Sequence, residues 1–575
     1  MDAGSRPKRR PRRLANRTAG FRRRSDRPGH AVPAGHASRS RPRPGAAAAG
    51  TAWPFGLRVA QPAAERLPAL LHDRDAGRDP DPGAASPEGP DPAGPQRVPL
   101  SAPRRGPSRA GLRQRRLPDA ALQPVRLLRG RADAGVIATR GLTYEEALAA
   151  LAERGRFGVR LGLGRIRALL HELGDPQLGL RGVLIAGTNG KGSVLALVGS
   201  VLAAAGYRVG ETPKPHLVSY RERLQVAGRP IDAATFARLV ADVLPAAERV
   251  APRHGKPTEF ELLTAMIFRW LGAEGIDVAV VEVGLGGRLD ATHAWDGGVA
   301  AITNVDLDHM ERLGPTVTAI AREKAAIIER GDLAVTGATG DALAVIRRRA
   351  GRMGAPLTIV EPAAILGLDR DGIEVELPRL GATRVGLRGR HQAANVAVAD
   401  AVLDALGAAG IAATTADQRR AGYATVVWPG RLELIDVDGH EVLLDGAHNP
   451  AGAATLARAV DDLRPFLTGD GPVTLVTATM ADKDVDGIIT ALLQSRAMRD
   501  ARVVCTAVEA VRALPAEALA ARWRALAPGL TVTVQRDASA ALDAALATAV
   551  GPIVVAGSLY LVGAVRARLV PAASP

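Results

Sequence analysis

The chain has 575 residues, 75 Lys and Arg against 59 Asp and Glu, and one cysteine, Cys505. This composition excludes a disulfide scaffold, a collagen-like repeat and a histone-like protein. The net charge of +16 belongs to one end: residues 1–140 hold 29 basic and 11 acidic side chains, while the other 435 residues hold 46 and 48.

Half of the 40 prolines also fall in residues 1–140. Proline interrupts every candidate element there, and a segment that buries little apolar surface cannot offset its ordering entropy. Residues 1–139 are therefore expected to be a disordered basic extension. Three readings stay open: a tail without function, including an upstream GC-rich stretch read through before a start near Val136; a disordered tail with a role; and an arginine-rich phosphate binder for nucleic acid. No aromatic platform accompanies the arginines, so a nucleic-acid partner is not the expectation. Neither a secretory signal nor an uncharged apolar run of membrane-spanning length is present, and a lone thiol needs no oxidising compartment. The cytoplasm is the expected location.

Ordered structure is expected from about residue 140. Thr143 and Glu146 form a capping box before a helix over 143–153, and a second helical stretch follows over 165–173. GVLIAG (182–187) reads as an apolar strand running into Thr188-Asn189-Gly190-Lys191-Gly192-Ser193, and a helix follows to Gly206. Strand, glycine loop and helix are the context of a phosphate-binding loop, with backbone N–H groups, a helix N-terminus and the Lys191 charge all directed at anionic oxygens. The strict Walker spacing fails, because Ile185 stands at its first glycine and Gly192 separates Lys191 from Ser193.

IDVAVVEVG (276–284) reads as a strand of a buried parallel sheet, interrupted near its end by Glu282. A buried carboxylate needs a cation, so Glu282 is a candidate metal ligand. The next strand, 299–305, leads to His309, at the strand end where ligands of open parallel sheets collect. Strands and helices then alternate to about Tyr423. A second alternation is expected after Trp428-Pro429-Gly430, with strands over 442–447, 473–479, 502–508 and 552–557.

GTNGKGS (187–193), KPHLVSYRERL (214–224), VEVGLGGRLDAT (281–292), TNVDLDH (303–309) and IAREKAAII (320–328) together resemble the folylpolyglutamate synthase/dihydrofolate synthase family of the Mur-ligase superfamily. GRHQAANVAVA (389–399), WPGRLELI (428–435), LLDGAHNPAGA (443–453), ADKDVDGI (481–488) and VVAGSLYLVG (554–563) extend the match in family order. The resemblance implies an α/β fold: a large P-loop ATPase domain over 140–428 that binds ATP and folate, then a smaller Rossmann-like domain over 429–575 that binds glutamate. The implied activity is an ATP-dependent ligase that adds L-glutamate to dihydropteroate or a reduced folate through an acyl phosphate. A monomer without membrane or nucleic-acid partners is expected.

By the same resemblance, Gly187 to Ser193, Asn395, Arg431 and Asp445 contact ATP. Glu282 and His309 hold Mg2+, with a monovalent cation as a further candidate. Lys191, His309, Lys324, Asp445 and His448 are implied in catalysis, Lys324 as a carbamylated lysine. Leu161, Gly162, Thr258, Glu259 and Phe260 are implied in folate binding, and Ser558 is a weaker candidate on the glutamate side. The chain departs from the family at two points. Arg160 replaces the acidic residue of a DLGL-type segment. Lys214 stands where the family carries a metal-binding serine, so its ammonium replaces a metal charge, or Thr212 or a water fills the site.

Other readings remain: a different Mur-type amino-acid ligase, a ligase-like binding protein without activity, and a nucleic-acid-associated P-loop protein that uses the basic tail. About 45 residues between Leu142 and the loop are too few for the extra substrate domain of a cell-wall ligase.

Overall fold

The computed structural model describes residues 141–155, 160–510 and 512–570. The expectations for residues 1–139 lie outside the described residues.

The first part is built on an eight-stranded sheet. In spatial order its strands are 229–230, 225–226, 209–212, 278–282, 182–186, 298–302, 333–336 and 357–359. The six from 209–212 onward run parallel, and the hairpin 225–230 is antiparallel. Gly182–Ala186 and Val278–Glu282 are buried at every residue, the pattern of a sheet covered on both faces. On one face lie the helices Tyr144–Gly155, Gly164–Glu172, Ala233–His254 and Glu259–Ala273, packed through Phe236, Phe268 and Trp270. Lys191–Ala204, Gln392–Ala408 and Ala416–Thr425 cover the other face through Val194, Val201, Val402 and Tyr423.

Local chemistry sets the helix starts. Thr143 and Glu146 exchange the expected capping bonds, and Thr258 with Glu261 repeats the box before Glu259–Ala273. Asn449 caps Pro450–Leu463, whose first residue is a proline with no N–H to leave unpaired.

The expected alternation breaks at 364–385. Ala364–Asp369, Gly372–Leu377 and Gly381–Val385 form a three-stranded antiparallel sheet instead of a strand–helix pair. The segment alternates buried and exposed residues along Gly372–Leu377 and packs Ile373, Val375 and Val385 onto the second core. Parallel strands are also shorter than expected at their C-terminal ends: 299–305 contributes only to residue 302, because Asn304 and Asp306 turn to brace the phosphate loop.

The C-terminal part is a six-stranded sheet in the order 433–437, 440–444, 553–556, 474–477, 502–505 and 531–534. Only Glu433–Val437 is antiparallel. Helices cover both faces in two cores, one around Leu456, Leu475 and Trp523, the other around Val476, Leu542 and Leu561. Arg370 pairs with Asp436 and Glu441, and Arg390 with Asp462, tying the two parts together on either side of Pro429-Gly430. No helix among the described residues is long and apolar enough to cross a membrane.

One acidic side chain sits against this packing. Glu211, in Val209–Thr212, points its carboxylate at Gly199 of the neighbouring helix, and burial pushes its pKa from 4.5 up to about 7. Between those values the folded state holds a proton that the unfolded chain has lost, so stability falls as pH rises through this window. Glu211→Gln removes that dependence. Its melting temperature should gain on the native protein as pH goes from about 5 to about 8, by a few degrees. An equal difference at both pH values would contradict the assignment.

Candidate active site

The C-terminal ends of three adjacent strands, 278–282, 182–186 and 298–302, define one edge of a cleft of about 870 Å3. Its far wall comes from the C-terminal part. Ligands of open parallel sheets bind at this end of the strands, where connections diverge to opposite faces.

The phosphate loop leaves the central strand at Gly187. Gly190 adopts φ +82° at the start of the helix Lys191–Ala204, and a Cβ there would collide with Asn395 Oδ1. Only glycine gives this turn without strain. The loop is braced from the next strand: Thr303 Oγ1 donates to Asn189 O at 2.6 Å, Asn189 N donates to Asn304 Oδ1 at 2.9 Å, and Asp306 N donates to Thr188 Oγ1 at 3.0 Å. Thr303 and Asn304 open the TNVDLDH block, but sequence reasoning missed their role, because they lie more than a hundred residues from the loop they brace.

Lys191 Nζ folds back onto the carbonyls of Gly187 and Thr188, both at 3.2 Å, and lies 4.0 Å from Glu282 Oε1. Glu282 is 3% exposed. Its Oε2 accepts the Lys214 N–H at 2.8 Å. Burial raises the Glu282 pKa, and the Lys191 and Lys214 charges with the Lys214 N–H pull it back. Lys324 is buried behind the loop, donating to Gly187 O at 2.8 Å, and burial draws its pKa down to about 7. Lys214 is drawn down to about 8 for the same reason. His309 takes a left-handed backbone at φ +50°, with its ring 3.8 Å from Asp308 and 3.9 Å from Glu311. Burial lowers its pKa.

The far wall brings the remaining residues in. Asp445 follows the strand His440–Leu444, and both its oxygens are engaged: Oδ2 accepts Leu432 N at 3.0 Å and Oδ1 accepts Ala447 N at 2.9 Å. It thus ties Leu432, just after Pro429-Gly430, to the loop after the strand. Burial raises its pKa, and the Arg431 charge opposes that. His448 Nδ1 lies 2.8 Å from Gly446 O, which leaves Nε2 for other contacts, and burial lowers its pKa. Arg431 reaches beside Gly446, where a Cβ would collide with its guanidinium, and its charge is felt at Glu282. Ser558 caps the last helix by accepting Tyr560 N; it is not among the cleft-lining residues.

Leu161, Gly162, Thr258, Glu259 and Phe260 all line the same cleft. Two of them have other partners. Thr258 Oγ1 belongs to the capping box, and Glu259 Oε1 accepts the Tyr220 hydroxyl at 2.6 Å. Phe260 packs partly on the core and presses its ring on Gly284. Arg223 also lines the cleft, and its Nε donates to His216 Nδ1 at 2.8 Å.

Among the described residues no group of three or more His, Cys, Asp or Glu side chains gathers as a cation cage. The Glu282 carboxylate and the Ser193 hydroxyl both line the cleft, as do Asp306, Asp308 and His309. That donor set fits Mg2+, which is usually held by one or two protein oxygens and completed by substrate phosphates and water.

Residues 185–403 match the Mur ligase middle domain, and residues 431–569 match the C-terminal domain of dihydrofolate synthetase. The dihydrofolate synthase/folylpolyglutamate synthase of Bacillus subtilis is 35% identical over 356 residues, covering 60% of this chain and 82% of that protein. The probable bifunctional folylpolyglutamate synthase/dihydropteroate synthase of Haloferax volcanii is 36% identical over 76% of this chain; the chain spans about half, 51%, of that longer protein. The Mycobacterium tuberculosis folylpolyglutamate synthase, solved with ADP and AMPPCP, superposes with a TM-score of 0.66 at 33% identity, covering 74% of this chain and all of the other. The chain belongs to the folylpolyglutamate synthase/dihydrofolate synthase family of ATP-dependent ligases, within the Mur-ligase superfamily.

Proposed function

We propose that this chain joins L-glutamate to the carboxylate of dihydropteroate and of reduced folates, using ATP, in a cleft between a domain over 140–428 and one over 429–575. The observation that carries the reading is the Lys191–Glu282 pair at the mouth of the phosphate loop, facing Asp445 and His448 across one cleft.

An amide does not form from a carboxylate and an amine in water without activation. A carboxylate oxygen attacks the γ-phosphorus of ATP, ADP leaves, and an acyl phosphate forms. The neutral α-amine of glutamate then attacks the acyl carbon; phosphate leaves and the nitrogen loses a proton. The chain contributes positioning and charge. Lys191 and the helix N-terminus at residue 191 face the phosphates, and Asn395 backs the loop from behind Gly190. Arg431 follows the hinge glycine, so closure of the two domains would bring its charge onto the nucleotide.

Glu282 and Ser193, with His309 from the neighbouring strand end, are the proposed protein ligands of Mg2+. Bound there, it would neutralise charge developing on the phosphate oxygens. Lys324 is the proposed carbamate site. Its lowered pKa leaves a fraction of free amine near neutrality, which can take up CO2 and release a proton. Asp445 holds the hinge, and His448 with its free Nε2 faces the incoming amine. We place the protein in the cytoplasm as a monomer.

The test is the full chain with ATP, Mg2+ and labelled glutamate, offered dihydropteroate and tetrahydrofolate separately. Both should give a labelled amide product with one ADP per bond. ADP release without label transfer to either acceptor would overturn the reading.

A further inference from the structure

Thr212 ends its strand opposite Val281, which carries Lys214 to the neighbouring strand's last residue. There the Lys214 ammonium donates to Glu282 O at 2.7 Å, to Thr212 Oγ1 at 2.9 Å and to Thr212 O at 3.2 Å. An ammonium has three N–H bonds, and these three acceptors use all of them. The group therefore has no donor left for a substrate, although its residue lines the cleft. The backbone N–H of the same residue is also spent, on Glu282 Oε2.

Two carbonyl oxygens and a hydroxyl converge on one centre, with the carboxylates of Glu282 and Asp290 acting on it electrostatically. Oxygens at such distances around one positive centre are what a free ammonium or potassium ion would also accept. We propose that Lys214 is a tethered monovalent cation: its ammonium fills a three-oxygen cation site at the edge of the cleft, and a variant without the side chain would take up a dissolved cation there. The charge beside Glu282 is thus supplied by the chain itself. Thr212 and Glu282 are held to each other through it, which fixes the ends of the two strands that frame the site.

The inference is independent of which acid is ligated, and the test reads folding without ATP or Mg2+. The full chain carrying Lys214→Ala is melted in ammonium, potassium and choline chloride at equal ionic strength. In choline it should melt about 5 °C or more below the native protein, because three buried acceptors lose their donor. Ammonium should restore at least half of that loss with a saturable dose dependence, and the native protein should melt alike in ammonium and choline. Lys214→Met keeps the stem in the space without the charge; it should be destabilised and gain nothing from ammonium. Equal melting of Lys214→Ala in all three salts overturns the proposal, as does a Lys214→Met protein as stable as the native one. Should Lys214→Ala fold in none of them, Lys214→Ser is judged by the same comparison. An absence of ligase activity in the native chain would leave this result standing, and the converse holds too.

Discussion

Lys191→Ala should lower kcat for ADP release by about 100- to 1,000-fold, with either acceptor. The lysine is the fixed charge of the phosphate loop, and its ammonium is held by two loop carbonyls at the helix start. In the proposed reaction it acts on charge that grows on the transferring phosphoryl group, so its loss should appear mainly in kcat. The loop itself should survive. Gly190, Thr303 and Asn304 set its shape without Lys191, and the variant should melt within a few degrees of the native protein. A kcat within about threefold of native would place the phosphoryl group elsewhere.

Glu282→Gln should act on both stability and metal use. The carboxylate lies enclosed between Lys191 and Lys214, and glutamine keeps its shape while removing the charge they face. Breaking an enclosed pair costs about 3–5 kcal/mol; Lys191 keeps 19% of its side chain exposed, so about 2–3 kcal/mol is expected. Half-saturating Mg2+ for ADP release should rise by about 10- to 100-fold, the scale of a lost metal-site partner. Denaturant titration and a Mg2+ series measure the two effects. A variant with native stability and an unchanged Mg2+ requirement would remove Glu282 from the site.

These two residues were legible because each is marked locally. Lys191 stands in a strand–glycine–helix context, and Glu282 breaks an apolar run. The doubly wound sheets were readable for the same reason, since strands buried on both faces are continuous apolar stretches. What stayed hidden depends on contacts between distant segments. Thr303 and Asn304 brace the loop across more than a hundred residues. The antiparallel sheet over 364–385 has short strands with partial alternation, which a strand–helix rhythm does not anticipate. Lys214 was visible as a departure from the family, but its three oxygens come from two strands that only the fold brings together.

The folate-binding roles of Thr258 and Glu259 rest on the family resemblance, and the structure gives both side chains scaffold partners as well. Thr258 and Glu259 open a helix at the cleft, yet the Thr258 hydroxyl closes a capping box and Glu259 holds Tyr220. Both line the cleft while the Thr258 hydroxyl and Glu259 Oε1 serve the scaffold. Phe260 and Leu161 are left as the apolar faces a flat ring could meet.

In the proposed reaction the acid is phosphorylated before glutamate captures it. Dihydropteroate labelled with 18O in its carboxylate, turned over with ATP and glutamate, tests this through the released phosphate. One 18O should appear in each phosphate for every amide formed. Unlabelled phosphate accompanying stoichiometric amide would mean that the carboxylate oxygen never reached phosphorus, and the acyl-phosphate account would fail.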